Sequence, residues 1–409
     1  MKKLIKDAFT LIIILGLVSL LGDIIYEGAR GINGQYLQIL GASAVAIGFF
    51  TGLGEFFGYA LRAFSGYLSD KTKSYWVLTF FGYALLVFVP FLALAGNWQI
   101  AMIFIILERI GKAVRSPARD TILSYSAKKV GTGFGFGIHE FLDQLGALIG
   151  PLIISIFFLN FKKISLAEYQ YAYLLLSIPF LILILLLFFA YFLFRNSKIE
   201  KERKKKKEEL SKVFWVYLFF TFATTLGFIN FVILGYHFKL KNVVSEAQIP
   251  LLYSLAMIVD AVVALFIGKS YDKLEKKNKK SGLILLILIP LLTLTIPYLV
   301  FVESFIFVFL GVVILGAVIG LHETIMRAVI ADITPISKRG SGYGIFTAFY
   351  GFASLIGGTI VGILYEFSTF YLKIFVLITQ IIALAIFTFL KENSFISYFF
   401  PTFKIKAGK

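Results

Sequence analysis

Apolar runs long enough to cross a bilayer recur from one end of this chain to the other, and nothing else limits its fold so strongly. LIIILGLVSLLGDII (11–25), LILILLLFFAYFLF (181–194) and LILLILIPLLTLTIPYLVF (283–301) are examples. A hydrocarbon core of roughly 30 Å needs about 20 helical residues. Backbone groups cannot stay unpaired in lipid, so such runs fold as helices or close into a barrel. The runs lack strict period-two alternation, which excludes the barrel. The chain is 59% hydrophobic and 15% charged, with a mean hydropathy of +0.88. Soluble domains run nearer a quarter charged. The fold class expected is an all-α polytopic membrane protein.

Twelve spans fit, at 8–39, 43–69, 75–95, 98–122, 131–159, 168–194, 213–238, 246–270, 281–301, 304–333, 339–366 and 369–391. The net charge of +17 does not point to nucleic acid, because Lys and Arg crowd the segments between spans. One set of ends carries Lys2, Lys3, Lys6, Lys71, Lys73, Lys128, Lys129, the tract RNSKIEKERKKKKEELSK, the loop YDKLEKKNKK, Lys338 and Arg339. The other set has mainly Lys162, Lys163, Lys239 and Lys241. By the positive-inside rule both termini lie in the cytoplasm, in a plasma-membrane protein whose basic loops rest on anionic lipid. The absence of cysteine removes disulfides and thiolate metal sites from consideration. The basic start MKKLIKDAF leads into a retained first helix, since no small-residue cleavage site follows before the second span.

The basic tract divides the chain into an amino-terminal six-helix bundle (1–194), a cytoplasmic linker (195–212), a carboxyl-terminal bundle (213–391) and a cytoplasmic tail (392–409). The halves repeat. GYLSD (66–70) matches GKSYD (268–272), GFGFGI (133–138) matches GSGYGI (340–345), and GALIGP (146–151) falls opposite ASLIGG (353–358). A same-direction repeat of six helices implies two bundles related by an axis along the membrane normal, as in many transporters.

With GYLSDKTK, ERIGKAVRSPARD (108–120) and GFGFGIHEFLDQLGALIGP (133–151) in view, the chain resembles the major facilitator superfamily over nearly its whole length. It is most similar to a prokaryotic subgroup of poorly defined substrate. That resemblance implies two six-helix bundles working by alternating access around a central cavity. It also implies an antiporter-like GxxxGP on the fifth span at Gly146, Gly150 and Pro151. Two positions depart from the pattern: Lys73 stands where the loop usually has glycine, and Glu140 where the subgroup has arginine.

Gly66 and Asp70, repeated as Gly268 and Asp272, read as a cytoplasmic latch in which the carboxylate meets a helix end or an arginine; a simple turn is the plainer alternative. Arg115, Arg119 and Asp120 are expected to tie the fourth span to that latch, or to anchor its cytoplasmic end. Gly146 and Gly150 permit a close helix crossing, and Pro151 bends the fifth span.

The charges deep in the spans carry the functional reading. Asp23, Glu27 and Arg30 share one helical face at mid-depth. Glu55, His139, Glu140, Asp143, Asp260, His322 and Glu323 fall at similar depth. In lipid each charge would cost about 2.5–3.5 kcal/mol, so they face a wet cavity or one another. Neighbour spacing lets Arg30 neutralise Glu27, Lys112 neutralise Glu108, and Arg327 neutralise Glu323, with Arg62 answering Glu55. That leaves an excess of amino-terminal carboxylate, in which Asp23 with Asp143 or Glu140 carries a coupling proton and a cationic substrate competes for it. Tyr26, Tyr36, Tyr59, Phe134, Phe136, Tyr343, Phe346, Phe349 and Tyr350 are candidates to line the cavity and hold an organic cation. His237 reads as an interface residue. The expectation is a monomeric transporter, not an enzyme, exporting a small organic or cationic solute against protons and needing no cofactor or bound metal. The alternatives are a divalent-cation carrier using Asp23, Glu27, His139 and Asp143, an uncoupled facilitator, and a receptor that keeps the fold.

Overall fold

The computed structural model describes residues 2–195, 210–277, 281–335 and 338–399, and they are helical with no strand among them. The central part of the basic linker (196–209) and the last residues of the tail (400–409) lie outside the described residues, as do 278–280 in the loop YDKLEKKNKK. The amino-terminal helices are α1 (Lys2–Ile39), α2 (Ala44–Thr72), α3 (Tyr75–Leu94), α4 (Trp98–Val130), α5 (Thr132–Phe158) and α6 (Leu166–Phe194). The carboxyl-terminal ones are α7 (Lys212–Lys241), α8 (Gln248–Lys277), α9 (Ser281–Val300), α10 (Phe305–Ile333), α11 (Arg339–Phe367) and α12 (Thr369–Phe399). Eleven of these are long and apolar enough, by length and composition, to cross a membrane. The remaining one, α4, carries Glu108, Arg109, Lys112 and Arg115 around its middle.

Local chemistry sets the ends. Ser43, Asn97 and Ser211 each cap a helix by accepting a backbone N–H in its first turn, and Ser165 with Glu168 forms a reciprocal capping box at α6. The seventh span is not the continuous helix expected. It stops at Leu226 and restarts at Phe231, where Asn230 caps the second piece. The third span passes through two short 3₁₀ stretches on either side of Phe88–Phe91.

Small residues bring the helices together. An added Cβ at Gly146 would overlap the Leu20 carbonyl, and one at Gly150 the Ile24 carbonyl, so α5 lies directly on α1. Pro151 then packs beside Gly31. Between the halves, α2 runs along α11, α5 along α8 and α1 along the second piece of α7. Thus the second helix of each half meets the fifth of the other, which is what a twofold-related pair of bundles requires. At one end of the bundle these contacts close. Gly48 and Gly358 leave no room for a side chain between α2 and α11, and Gly34 abuts the Val232 carbonyl. Ser155 Oγ donates to Ala247 O at 2.8 Å, Tyr169 OH to Glu246 at 2.6 Å, and Glu366 accepts from Val45 N at 3.1 Å.

Candidate functional site

Between the halves lies a cavity of about 750 Å³. Asp23, Glu27 and Arg30 line it from α1, Glu55 from α2, and His139, Glu140 and Asp143 from α5. The seven side chains expected to share a site therefore face one lumen. Gly52 and Gly358 mark its closed end, while Arg62, Asp120, Gly137 and Tyr343 mark the opposite end, where Asp120 is half-buried and Gly137 exposed. That mouth lies where α4 ends and α5 begins, on the face of the bundle that carries Lys71 and the start of α1.

The pairing inside differs from simple neighbour cancellation. Arg30 sits 3.9 Å from Glu27 but 3.0 Å from Glu55, and Arg109 reaches the same Glu55 oxygen at 3.0 Å. Glu55 thus joins α1, α2 and α4. Glu27, 8% exposed, instead accepts a 2.6 Å hydrogen bond from Tyr253 OH on α8, across the division between the halves. Arg62 does not answer Glu55: its Nε donates to Gly58 O at 3.0 Å and its guanidinium covers Tyr59. Glu108 is 3.8 Å from Arg109, the cation beside it, and not paired with Lys112. Lys112 lies 4.0 Å and the Arg109 guanidinium 4.4 Å from the centre of the Tyr26 ring. Asp23 lines the lumen within electrostatic reach of Lys112 and Asp143. Asp143 stands 3.5 Å from His139 Nδ1.

Sequence reasoning overlooked Arg109, Lys112 and Tyr253 as lumen residues. The charges of ERIGKAVRSPARD read as a tie to the latch or an end anchor, because the rotational phase of α4 is set by its packing on α2 and α3. The spacing of Arg109 and Lys112, one helical turn apart, was the signal that could have found them. The eighth and tenth helices contribute Asp260, His322, Glu323 and Arg327. Glu323 and Arg327 do not close to ion-pair distance among the described residues. Taken together, eight carboxylates and six Lys or Arg side chains line the cavity. The expected excess of carboxylate is therefore small.

The residues read as a latch are placed as follows. Gly66 lets α2 approach Pro117 on α4, and Gly268 lets α8 approach Thr324 on α10, in matching positions of the two halves. Asp70 and Asp272 are exposed, and Asp70 accepts from Tyr75 OH at 3.1 Å, with no arginine or helix end as its partner among the described residues. Arg115 is buried over the Tyr83 ring, and Arg119 holds Asp120 at 2.9 Å while donating to Ser19 on α1 at 2.7 Å. These arginines fasten α4 to α1 and α3, not to the Asp70 turn. Lys73, in the place of the usual glycine, adopts the left-handed conformation with φ 58°.

Of the aromatic candidates, Tyr26, Tyr59, Phe136, Tyr343, Phe346 and Tyr350 line the cavity. Tyr36 is instead buried with its hydroxyl on Leu92 O, and Phe134 is exposed. Phe349 packs on the core of the carboxyl-terminal half. His237 is a core residue, 3% exposed and 2.7 Å from Tyr365 OH. Among the described residues no three His, Asp or Glu side chains gather closely enough to hold a metal ion.

Two helical bundles meeting around a charged lumen, closed at one end and open at the other, define a secondary transporter. Such a protein takes a small molecule across a membrane in which it is embedded. This chain belongs to the major facilitator superfamily, whose family profile, described as Major Facilitator Superfamily, matches residues 12–321. An uncharacterized protein of Mycobacterium tuberculosis is 36% identical over 387 residues, covering 92% of each chain. An uncharacterized MFS-type transporter of Methanocaldococcus jannaschii is 28% identical over 367 residues, 87% of this chain and 88% of that one. A crystal structure of a point mutant of the nucleoside transporter NupG shares the fold with a TM-score of 0.72 at 12% identity, covering 93% of this chain and 99% of that one.

Proposed function

We propose that the protein exchanges a small organic or cationic solute for protons by alternating access, as a monomer in the plasma membrane with both termini in the cytoplasm. The observation that carries this reading is the convergence of Asp23, Glu140 and Asp143 on one half-open lumen. A carboxylate placed there can meet water on one side of the membrane and, after the halves rock, on the other. Asp23 has a lysine within reach but, among the described residues, no ion pair of its own, whereas Glu55 is committed to two guanidiniums. Asp23 is therefore free to trade a proton for cargo. The mouth lies on the basic face, so the conformation described is inward-facing under the positive-inside rule.

The test is flux in proteoliposomes under an imposed pH gradient. Asp23→Asn should abolish gradient-driven exchange while the protein remains folded and inserted. Exchange unchanged in that variant removes Asp23 as carrier, and flux that ignores the gradient in the wild type indicates an uncoupled facilitator.

A further inference from the structure

The charge on the cavity wall is unevenly balanced. On the amino-terminal side, Arg30 and Arg109 share Glu55, Arg119 holds Asp120, and Lys112 is within reach of Asp23 and Glu27. Where α5 faces α8 and α10 the compensation fails. Glu140, Asp260 and Glu323 act on one another electrostatically, and Arg327 is the cation they have in common. Among the described residues none of the three makes an ion pair within 4.0 Å.

Asp260 is the telling member. It is 2% exposed, and its Oδ1 has no hydrogen-bond partner. It lies against α10 where Gly320 leaves space, since a Cβ there would come within 3.1 Å of that oxygen. His322 on the same wall is 6% exposed, and its Nε2 likewise has no partner. An unsatisfied buried acceptor costs about 1–3 kcal/mol, and more when charged. Glu140 and Glu323 are exposed toward the lumen in front of it.

Glu140 belongs to the amino-terminal half and the other two acids to the carboxyl-terminal half, so the cluster straddles the division toward the open mouth. Like charges facing across that gap oppose the approach of α5 to α10. A cation between them reverses the sign of the interaction. Because no three of these side chains are close enough to hold a metal ion, the spacing suits a larger, hydrogen-bonding cation. Tyr59 and Tyr350, in edge contact at 5.0 Å, and Phe228 offer rings nearby for its alkyl portion.

We propose that Glu140, Asp260 and Glu323 form a binding site for the ammonium or guanidinium group of an organic amine substrate, and that its occupancy draws α5 toward α10 to shut the mouth. This rests on the alternating-access reading above and narrows its substrate to amines.

The absence of native cysteine makes the test direct. Spin labels on Phe134→Cys in α5 and Ala331→Cys in α10 report the width of the mouth. The probe is 1,4-diaminobutane, with 1,4-butanediol as its uncharged counterpart. The diamine should shorten the distance and raise the melting temperature, and the diol should do neither. Glu140→Gln and Glu323→Gln should each weaken diamine binding roughly tenfold. They should also shorten the distance without ligand, which a merely structural role would not produce. Unaltered diamine binding in both variants, or no response of the wild type to the diamine, methylammonium or guanidinium, overturns the proposal. Closure by the diamine with flux blind to a pH gradient would keep this site and discard proton coupling. Asp23-dependent coupling with normal diamine binding in the glutamine variants would do the reverse.

Discussion

Glu55 accepts from Arg30 and Arg109 through one oxygen, and its removal leaves the two guanidiniums, among the described residues, only the more distant carboxylates of Glu27 at 3.9 Å and Glu108 at 3.8 Å. Glu55→Gln should lower stability by roughly 2–3 kcal/mol, measured by thermal unfolding in detergent, because breaking an inward-facing pair leaves charge under-compensated. Tyr253→Phe should cost less, about 1 kcal/mol, but should also favour the outward-open state, since the hydroxyl it loses joins α8 to Glu27 on α1. At this scale the sequence is half legible. The spacing of Asp23, Glu27 and Arg30 places all three on the lumen face, because helical phase is a local property. The partner Arg30 chooses is not local: Glu55 lies 25 residues away, and only the packing of α1 on α2 and α4 brings it near. The same holds for Arg62, whose neighbour spacing to Glu55 is overridden by the Gly58 carbonyl and the Tyr59 ring.

Among the elements, the turn after α2 offers a clean stability test. Lys73 holds φ 58°, a conformation that L-residues adopt at a cost of about 1–2 kcal/mol and glycine adopts freely. Lys73→Gly should therefore stabilise the protein by roughly 0.5–1 kcal/mol, less whatever the Lys73–Tyr75 contact at 3.2 Å contributes, read as a rise in the thermal midpoint. The departure from the family pattern was visible in the sequence, but its consequence for the backbone was not. At the closed end, Gly358→Leu should force α2 and α11 apart, because the new side chain would meet the Gly48 backbone. A cysteine in place of Ser354, a lumen-lining residue of α11, should gain reactivity toward a membrane-impermeant reagent added outside in that background. Unchanged reactivity would show that α2 and α11 do not seal that end. The break in α7 at 227–230 escaped sequence reading because the surrounding residues stay apolar and hydropathy averages over it.

For the whole molecule, the repeat of GYLSD in GKSYD and of GFGFGI in GSGYGI carries the architecture, since it sets α2 against α11 and α5 against α8. The division into helices is legible because lipid leaves the backbone so few options. The degree of charge balance is not, because it depends on which face α4 turns inward: Arg109 and Lys112 convert an acidic vestibule into a mixed one. What the mixed lumen retains is a set of carboxylates without fixed cations, and the account depends on protons and cargo competing for them. The most direct measurement is proton release on binding. Purified protein in weak buffer is titrated with 1,4-diaminobutane while the bulk pH is followed. Release of protons by the wild type, diminished in Asp23→Asn, is the result this account predicts. Diamine binding that releases no protons from the wild type would contradict it.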